Sequence, residues 1–296
     1  MRKIKFVLAF MAVLLLLPLA AFAGATDPVV STDWLEKNLS SMNVVTVDIR
    51  KVEEYKEGHI PNSINVFYNS WAIAKDGLAN ELPADDDLRD LVIAMGVDEN
   101  TTVVIVGKND PVGERVGMTR VAWTLKYAGV ESVAVLNGGY DRWVAEKKDI
   151  TKATFPSKKL PYDGQFNKSI YADKAYVTAN LGKALIVDVR EEPFFKGEKK
   201  LDFVAKTGRI KGAVNLPSSL LFTKDGTFKS TEELAAIATP VVGNDPGKEI
   251  ILYCDTGKFA TAWWLILHDL LGYKNVKNYD GSSMQWMKDP AAPVEP

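Results

Sequence analysis

The chain has 296 residues, 47% of them hydrophobic and 25% charged, a formal net charge of -2 and a single cysteine. That balance describes a globular protein and gives no electrostatic case for nucleic acid or an anionic membrane surface as partner. One cysteine excludes an internal disulfide and a dithiol redox pair, and clustered metal ligands are lacking, so the fold must rest on core burial with no metal expected.

Taken in order, Arg2, Lys3 and Lys5 precede an apolar run over residues 6–21, and Ala21-Phe22-Ala23 supplies small residues for cleavage. This reads as a signal peptide over residues 1–23, directing the chain to the periplasm of a bacterial cell or to secretion. The run is short for a membrane span and contains Pro18, and no cysteine follows it for lipidation. No later segment is apolar enough to span a bilayer, so no membrane partner is expected after cleavage.

Residues 32–39, 87–95 and 118–127 have helical patterning, and residues 44–48 read as a buried strand ending in Asp48. Arg50 follows, then Gly58-His59-Ile60-Pro61-Asn62-Ser63-Ile64-Asn65, a strand at 103–106, and Gly138-Gly139-Tyr140-Asp141-Arg142-Trp143. The same order returns in the second half: a strand at 184–188 ending in Asp188, Arg190, Gly208-Arg209-Ile210-Lys211-Gly212-Ala213-Val214-Asn215, a strand at 250–253, and Gly281-Ser282-Ser283-Met284-Gln285-Trp286. Spacings between counterparts drift, as in a duplicated domain with loop insertions, one of them around residues 196–207. Ser230 and Glu233 form a capping box that opens a helix, and residues 259–271 form an apolar helix that Gly272 should end. Apolar strands alternating with helices predict an α/β fold, each half a mainly parallel sheet covered on both faces. Domains are placed at 24–154 and 168–296, joined by a linker over 155–167 where two prolines, a glycine and several lysines break the apolar pattern. Trp123, Trp263 and Trp264 are expected in the core.

The chemistry-bearing segment is Tyr253-Cys254-Asp255-Thr256-Gly257-Lys258-Phe259. Cys254 sits at the carboxyl end of a strand, the edge where open parallel sheets bind ligands. Gly257 permits a cradle-shaped turn, and several backbone N–H groups there lack a helical partner and can converge on one centre. Such a cradle favours thiolate, the nucleophilic form; Lys258 should help and Asp255 should oppose. A cradled thiolate suits ping-pong transfer, taking the outer sulfur of thiosulfate or 3-mercaptopyruvate as a persulfide and passing it to cyanide or a thiol, without metal or organic cofactor. Other cysteine chemistries fit less well. A phosphatase loop would close on an arginine, and Ala260 stands there; the two histidines, His59 and His268, form no evident dyad with Cys254.

These residues resemble the tandem rhodanese family: the Cys-x-x-Gly loop, the Asp-x-Arg strand ends, the run at 208–217 and Tyr279-Asp280-Gly281-Ser282 with Trp286. The resemblance implies two rhodanese-like domains, the first inactive because Gly107 stands at the cysteine's place and a longer loop follows it, the second catalytic. It implies a sulfurtransferase with Cys254 as carrier, Asp255, Thr256, Gly257, Lys258 and Phe259 as the anion cradle, and Asp188 and Arg190 stabilising loop or pocket. Two departures bear on the donor. Asp255 and Thr256 stand where thiosulfate-preferring members place basic residues, and Phe194 stands where relatives carry a donor-binding arginine; Lys196, Arg209 or Lys258 would then serve instead. The alternative reading is a non-catalytic tandem rhodanese module that binds a partner protein or an oxyanion in the cell envelope.

Overall fold

The structure, a computed structural model, describes residues 26–296. The expected signal peptide lies outside the described residues. In the first half the strands are β1 (Val29–Val30), β2 (Val44–Asp48), β3 (Ser63–Asn65), β4 (Thr102–Val106) and β5 (Ser132–Leu136). They form one parallel sheet in the order β1-β5-β4-β2-β3. In the second half β6 (Tyr171–Ala172), β7 (Leu185–Asp188), β8 (Val214–Asn215), β9 (Ile250–Tyr253) and β10 (Val276–Tyr279) form a parallel sheet in the order β6-β10-β9-β7-β8. Element by element the two orders are the same, which is the duplication seen in the sequence expressed as topology.

Alternation along the central strands explains why their apolar runs are unbroken. In β9, Ile250 and Leu252 face one core and Ile251 and Tyr253 the other; all four are fully buried. In β4, Val103 and Ile105 take the first of these layers, while Val104 and Val106 face away from it. A strand covered on both faces has no solvent side on which to place polar residues. The layer shared by β4 and β9 is one continuous core joining the halves, with Trp71 and Trp123 from the first and Trp263 from the second, each fully buried. At its centre the helix Val112–Tyr127 packs on the helix Ala260–Trp264, and the Thr119 and Thr261 hydroxyls lie 3.0 Å apart. Cys254 continues the Ile250/Leu252 face, so its side chain is directed to this shared layer.

Several elements differ from the sequence reading. The helix expected over 118–127 starts at Val112; Gly113, Gly117 and the charged pair Glu114-Arg115 mask its apolar pattern. The helix expected over 259–271 runs as an α segment, Ala260–Trp264, and then widens to i→i+5 turns over Leu265–Leu270; the Leu271 amide donates to the Ile266 carbonyl at 2.8 Å. Ser230 caps Thr231–Val242 with Glu233 completing the capping box, as expected. Two small antiparallel pairs were not anticipated: Ile73–Lys75 with Leu78–Glu81, and Arg209–Ile210 with Val294–Glu295. Residues 152–167 carry no helix or strand.

Candidate active site

Each half ends its β2-type strand in the same buried frame. Arg50 Nε donates to Asp48 at 3.0 Å and a terminal nitrogen donates to the Gly58 carbonyl at 2.8 Å; Asn65 Nδ2 donates to the carbonyls of Asp48 and Arg50 at 2.8 and 2.9 Å. In the second half Arg190 Nε donates to Asp188 at 2.9 Å and a terminal nitrogen to the Gly208 carbonyl at 2.8 Å, while Asn215 donates to the Asp188 and Arg190 carbonyls at 2.8 and 2.9 Å. Burial opposes the Arg190 charge, yet Asp188 outweighs it and holds the guanidinium firmly protonated. Tyr253 ties this frame to β9, its hydroxyl donating to Asp188 at 2.6 Å and accepting from the Ile210 amide at 3.0 Å.

The turn after β9 is held from below by Ser282. Its hydroxyl accepts from the amides of Cys254 at 3.1 Å and Gly257 at 2.9 Å and donates to the Tyr279 carbonyl at 2.8 Å. Gly257 has φ +70, and a Cβ there would collide with the Asp280 carbonyl oxygen. Glycine is therefore required by both backbone angle and space. With the turn pinned in this way, the amides of Thr256, Phe259 and Ala260 face the Cys254 thiol and pull its pKa down. The amides that act on the thiol differ slightly from the expected segment, Asp255 to Phe259. Gly257 shapes the turn but spends its own N–H on Ser282, and Ala260 adds an amide one residue beyond the expected segment.

Cys254 is only 1% exposed, yet it lines a cleft of about 210 Å³ between the turn and the segment after β7. Burial first, then the neighbouring Asp255 carboxylate, pushes its thiol pKa up; the three amides pull the other way and do not prevail. Asp255 does not turn outward: its Oδ1 lies 3.6 Å from a terminal nitrogen of Arg190. Burial raises its carboxyl to about 6 against the pull of Arg190. Arg190 is thus both the strand-end partner of Asp188 and a wall of the cleft.

The other basic residues lie elsewhere. The Lys258 ammonium sits over the Tyr68 ring, 4.3 Å from its centroid, and burial lowers its pKa. The side chain leans onto the first half and does not line the cleft, yet its charge and the Cys254 sulfur still attract each other, and that help does not overcome burial and Asp255. Arg209 is spent on the chain end: it donates to the Pro296 carbonyl, pairs with Glu295 at 3.5 Å and stacks on Phe195. Lys196 pairs with Glu192 one helical turn away, at 2.5 Å. Neither lines the cleft, so both are corrected as candidate donor-binding residues; Phe194 does line it. His268 bonds Asp269 and stacks on Trp264, and His59 bonds the carbonyls of Tyr55 and Ala153.

In the first half Gly107 takes the position of Cys254; the Tyr140 amide donates to its carbonyl at 2.8 Å as the Ser283 amide does to Cys254 at 3.1 Å. A Cβ at Gly107 would meet Met118 Cγ at 2.9 Å. Pro111 lacks an N–H, and the Asn109 amide is taken by Asp141 at 2.6 Å. The loop is not the longer one expected. Its helix starts at Val112, so the extra residues extend the helix, which is 16 residues against 5 and 6 for the two segments after the cysteine turn.

The first half nevertheless reaches the turn. Asn80 Nδ2 donates to Thr256 Oγ1 at 2.9 Å, and Asn80 in turn accepts from the Tyr68 hydroxyl at 2.8 Å. Arg120, fully buried, pairs with Asp280, which also accepts from the Leu82 amide at 2.9 Å. From the sequence alone Tyr68, Asn80 and Arg120 had no role, and Asp280 and Ser282 stood there only as part of a motif. For Ser282 a signal exists in the repeat: its counterpart is Gly139, and both adopt left-handed φ, +46 and +59. A serine at a position that elsewhere takes glycine marks a hydroxyl with a local task.

The rhodanese-like domain family matches the chain twice, over residues 31–146 and 172–289. A Haloferax volcanii protein named "Putative thiosulfate sulfurtransferase" is 33% identical over 286 residues, covering 92% of this chain and 97% of its own. The sulfur carrier protein TtuD of Thermus thermophilus is 29% identical over 283 residues, covering 90% of this chain and 96% of its own. Among solved structures, a variant of EanB with ergothioneine covalently linked with a persulfide cysteine aligns with a TM-score of 0.78 at 26% identity, over 90% of this chain and 70% of that one. With the family matching both halves and the relatives matching nearly end to end, the chain belongs to the rhodanese-like family as a tandem-domain sulfurtransferase.

Proposed function

We propose that Cys254 carries sulfur as a persulfide between a small sulfane donor and a thiophilic acceptor. The observation that carries this reading is the convergence of the Thr256, Phe259 and Ala260 amides on the Cys254 sulfur at the wall of a cleft. Those N–H groups favour the anion and can equally hold the terminal sulfur of Cys254–S–S⁻. The thiol first loses its proton to solvent. The thiolate then attacks the donor's outer sulfur, the donor's S–S or C–S bond breaks, and the leaving group departs with the electron pair. In the second half-reaction cyanide or a thiol attacks the terminal sulfur and returns the Cys254 thiolate. No step calls on a metal or organic cofactor. Asp188 and Arg190 hold the strand end from which the turn springs, and Arg190 also presents a cation to the cleft. The basic and apolar stretch over residues 1–23 supports export, and N-terminal sequencing of the mature protein is expected to begin near Gly24.

Incubation with thiosulfate, 3-mercaptopyruvate or polysulfide is expected to add the mass of one sulfur atom to the chain, and cyanide should then remove it as thiocyanate. A chain that gains no sulfur from any of these donors would sink the proposal.

A further inference from the structure

The walls of the cleft bear on which donor enters it. Its surface is mainly apolar, with Val189, Phe194, Leu201 and Phe259 on the wall beside Cys254. Its volume of about 210 Å³ exceeds the roughly 150 Å³ of an apolar cavity able to take up benzene. Among the described residues Arg190 is the one cation on its wall, against the carboxylates of Asp255 and Glu191. Two of its guanidinium nitrogens are committed to Asp188 and the Gly208 carbonyl, and the third faces Asp255 at 3.6 Å. Asp255 Oδ1 is buried without a hydrogen-bond donor. With Asp255 and Glu191 on the wall, the carboxylates repel a doubly negative ligand more than a singly charged one. Lys196 and Arg209 are paired elsewhere, and Lys258, whose ammonium rests over Tyr68, does not line the cleft.

We infer that the donor for Cys254 is an organic sulfane-sulfur compound with an apolar body and no more than one negative charge, and that the cleft discriminates against the thiosulfate dianion. The inference rests on the carrier role proposed above for Cys254. The chemistry is unchanged. For an arylthiosulfonate, the Cys254 thiolate attacks the outer sulfur, the bond from that sulfur to the sulfonyl sulfur breaks, and the arylsulfinate leaves with the electron pair. The negative charge passes to the new persulfide terminus and no further oxidant or reductant is consumed.

The test compares benzenethiosulfonate, methanethiosulfonate and thiosulfate, all outer-sulfur donors, by kcat/KM for thiocyanate formation with cyanide. Benzenethiosulfonate is expected to exceed thiosulfate by roughly tenfold or more. Asp255→Asn should raise thiosulfate relative to benzenethiosulfonate, and Phe194→Ala should lower benzenethiosulfonate relative to methanethiosulfonate. Thiosulfate turnover equal to or above that of benzenethiosulfonate in the unaltered protein overturns the inference. So does a preference that neither substitution moves, since it would then belong to the donors' own reactivity. Absence of sulfur on Cys254 from all three donors is a different result, because it removes the carrier role itself.

Discussion

The two halves share a sheet order, a buried Asp–Arg–Asn frame and a left-handed residue closing the loop beyond the fifth strand, yet they differ over a few residues after the central strand. At Gly107 the space for a side chain is filled by Met118, one amide is taken by Asp141 and another is lost to Pro111. At Cys254 the turn is pinned by Ser282 and three amides are aimed at the side chain. The shared frame is therefore scaffolding, which fixes where each strand ends. The reactivity proposed here belongs to the turn, and it depends on which N–H groups the surroundings leave unspent. Both rest on buried charge. The frame's arginines are matched by aspartates, whereas Asp255 is only partly compensated by Arg190.

The comparison can be broken most severely at the thiol. Cys254→Ser is expected to lower sulfur loading by about 1,000-fold or more, read by intact mass and cyanolysis. Next is the pair joining the halves: Arg120→Met should cost about 3–5 kcal/mol in denaturant unfolding by leaving buried Asp280 uncompensated. Adding Asp280→Leu should return part of that loss, and a double variant no better than the single one would count against the pair. A smaller effect is expected at Asp255, whose folded carboxyl sits at about 6 against an ordinary 3.8. Its ionised form is disfavoured by folding, so the destabilisation is fully present above about pH 6 and gone below about pH 4. Asp255→Asn should thus stabilise the protein by about 1–2 kcal/mol at neutral pH and not at all in acid, measured by unfolding across pH. The same substitution should move the alkaline rise of sulfur loading to lower pH, since ionised Asp255 helps hold the thiol pKa up. The smallest expected readout sharpens the comparison from the other side: Gly107→Cys in a Cys254→Ser background should acquire no sulfur.

Much of this was legible beforehand because it is local or repeated. Asp48 and Asp188, Arg50 and Arg190, and Asn65 and Asn215 recur in one order, and each set folds into the same frame. Ser230 and Glu233 lie three apart, so their capping box needs nothing beyond one helical turn. What escaped the reading depends on distance along the chain. Arg120 meets Asp280 across 160 positions, and Asn80 meets Thr256 across 176. The fate of Arg209 is decided by where the last residues of the chain return. Which influence wins at the resting thiol stayed open for the same reason: its pKa follows first from how deeply it is buried, a quantity no spacing encodes.

The guanidinium of Arg120 has a consequence for the history of the duplication. The copy without a thiol cannot simply be discarded. Severing the polypeptide near residue 160 would strand the Asp280 carboxylate in an apolar wall and bare the tryptophan-rich seam to water. An ancestor able to live as one copy would have needed a different neighbour for that carboxylate, so once joined, the first copy became indispensable as a lodger.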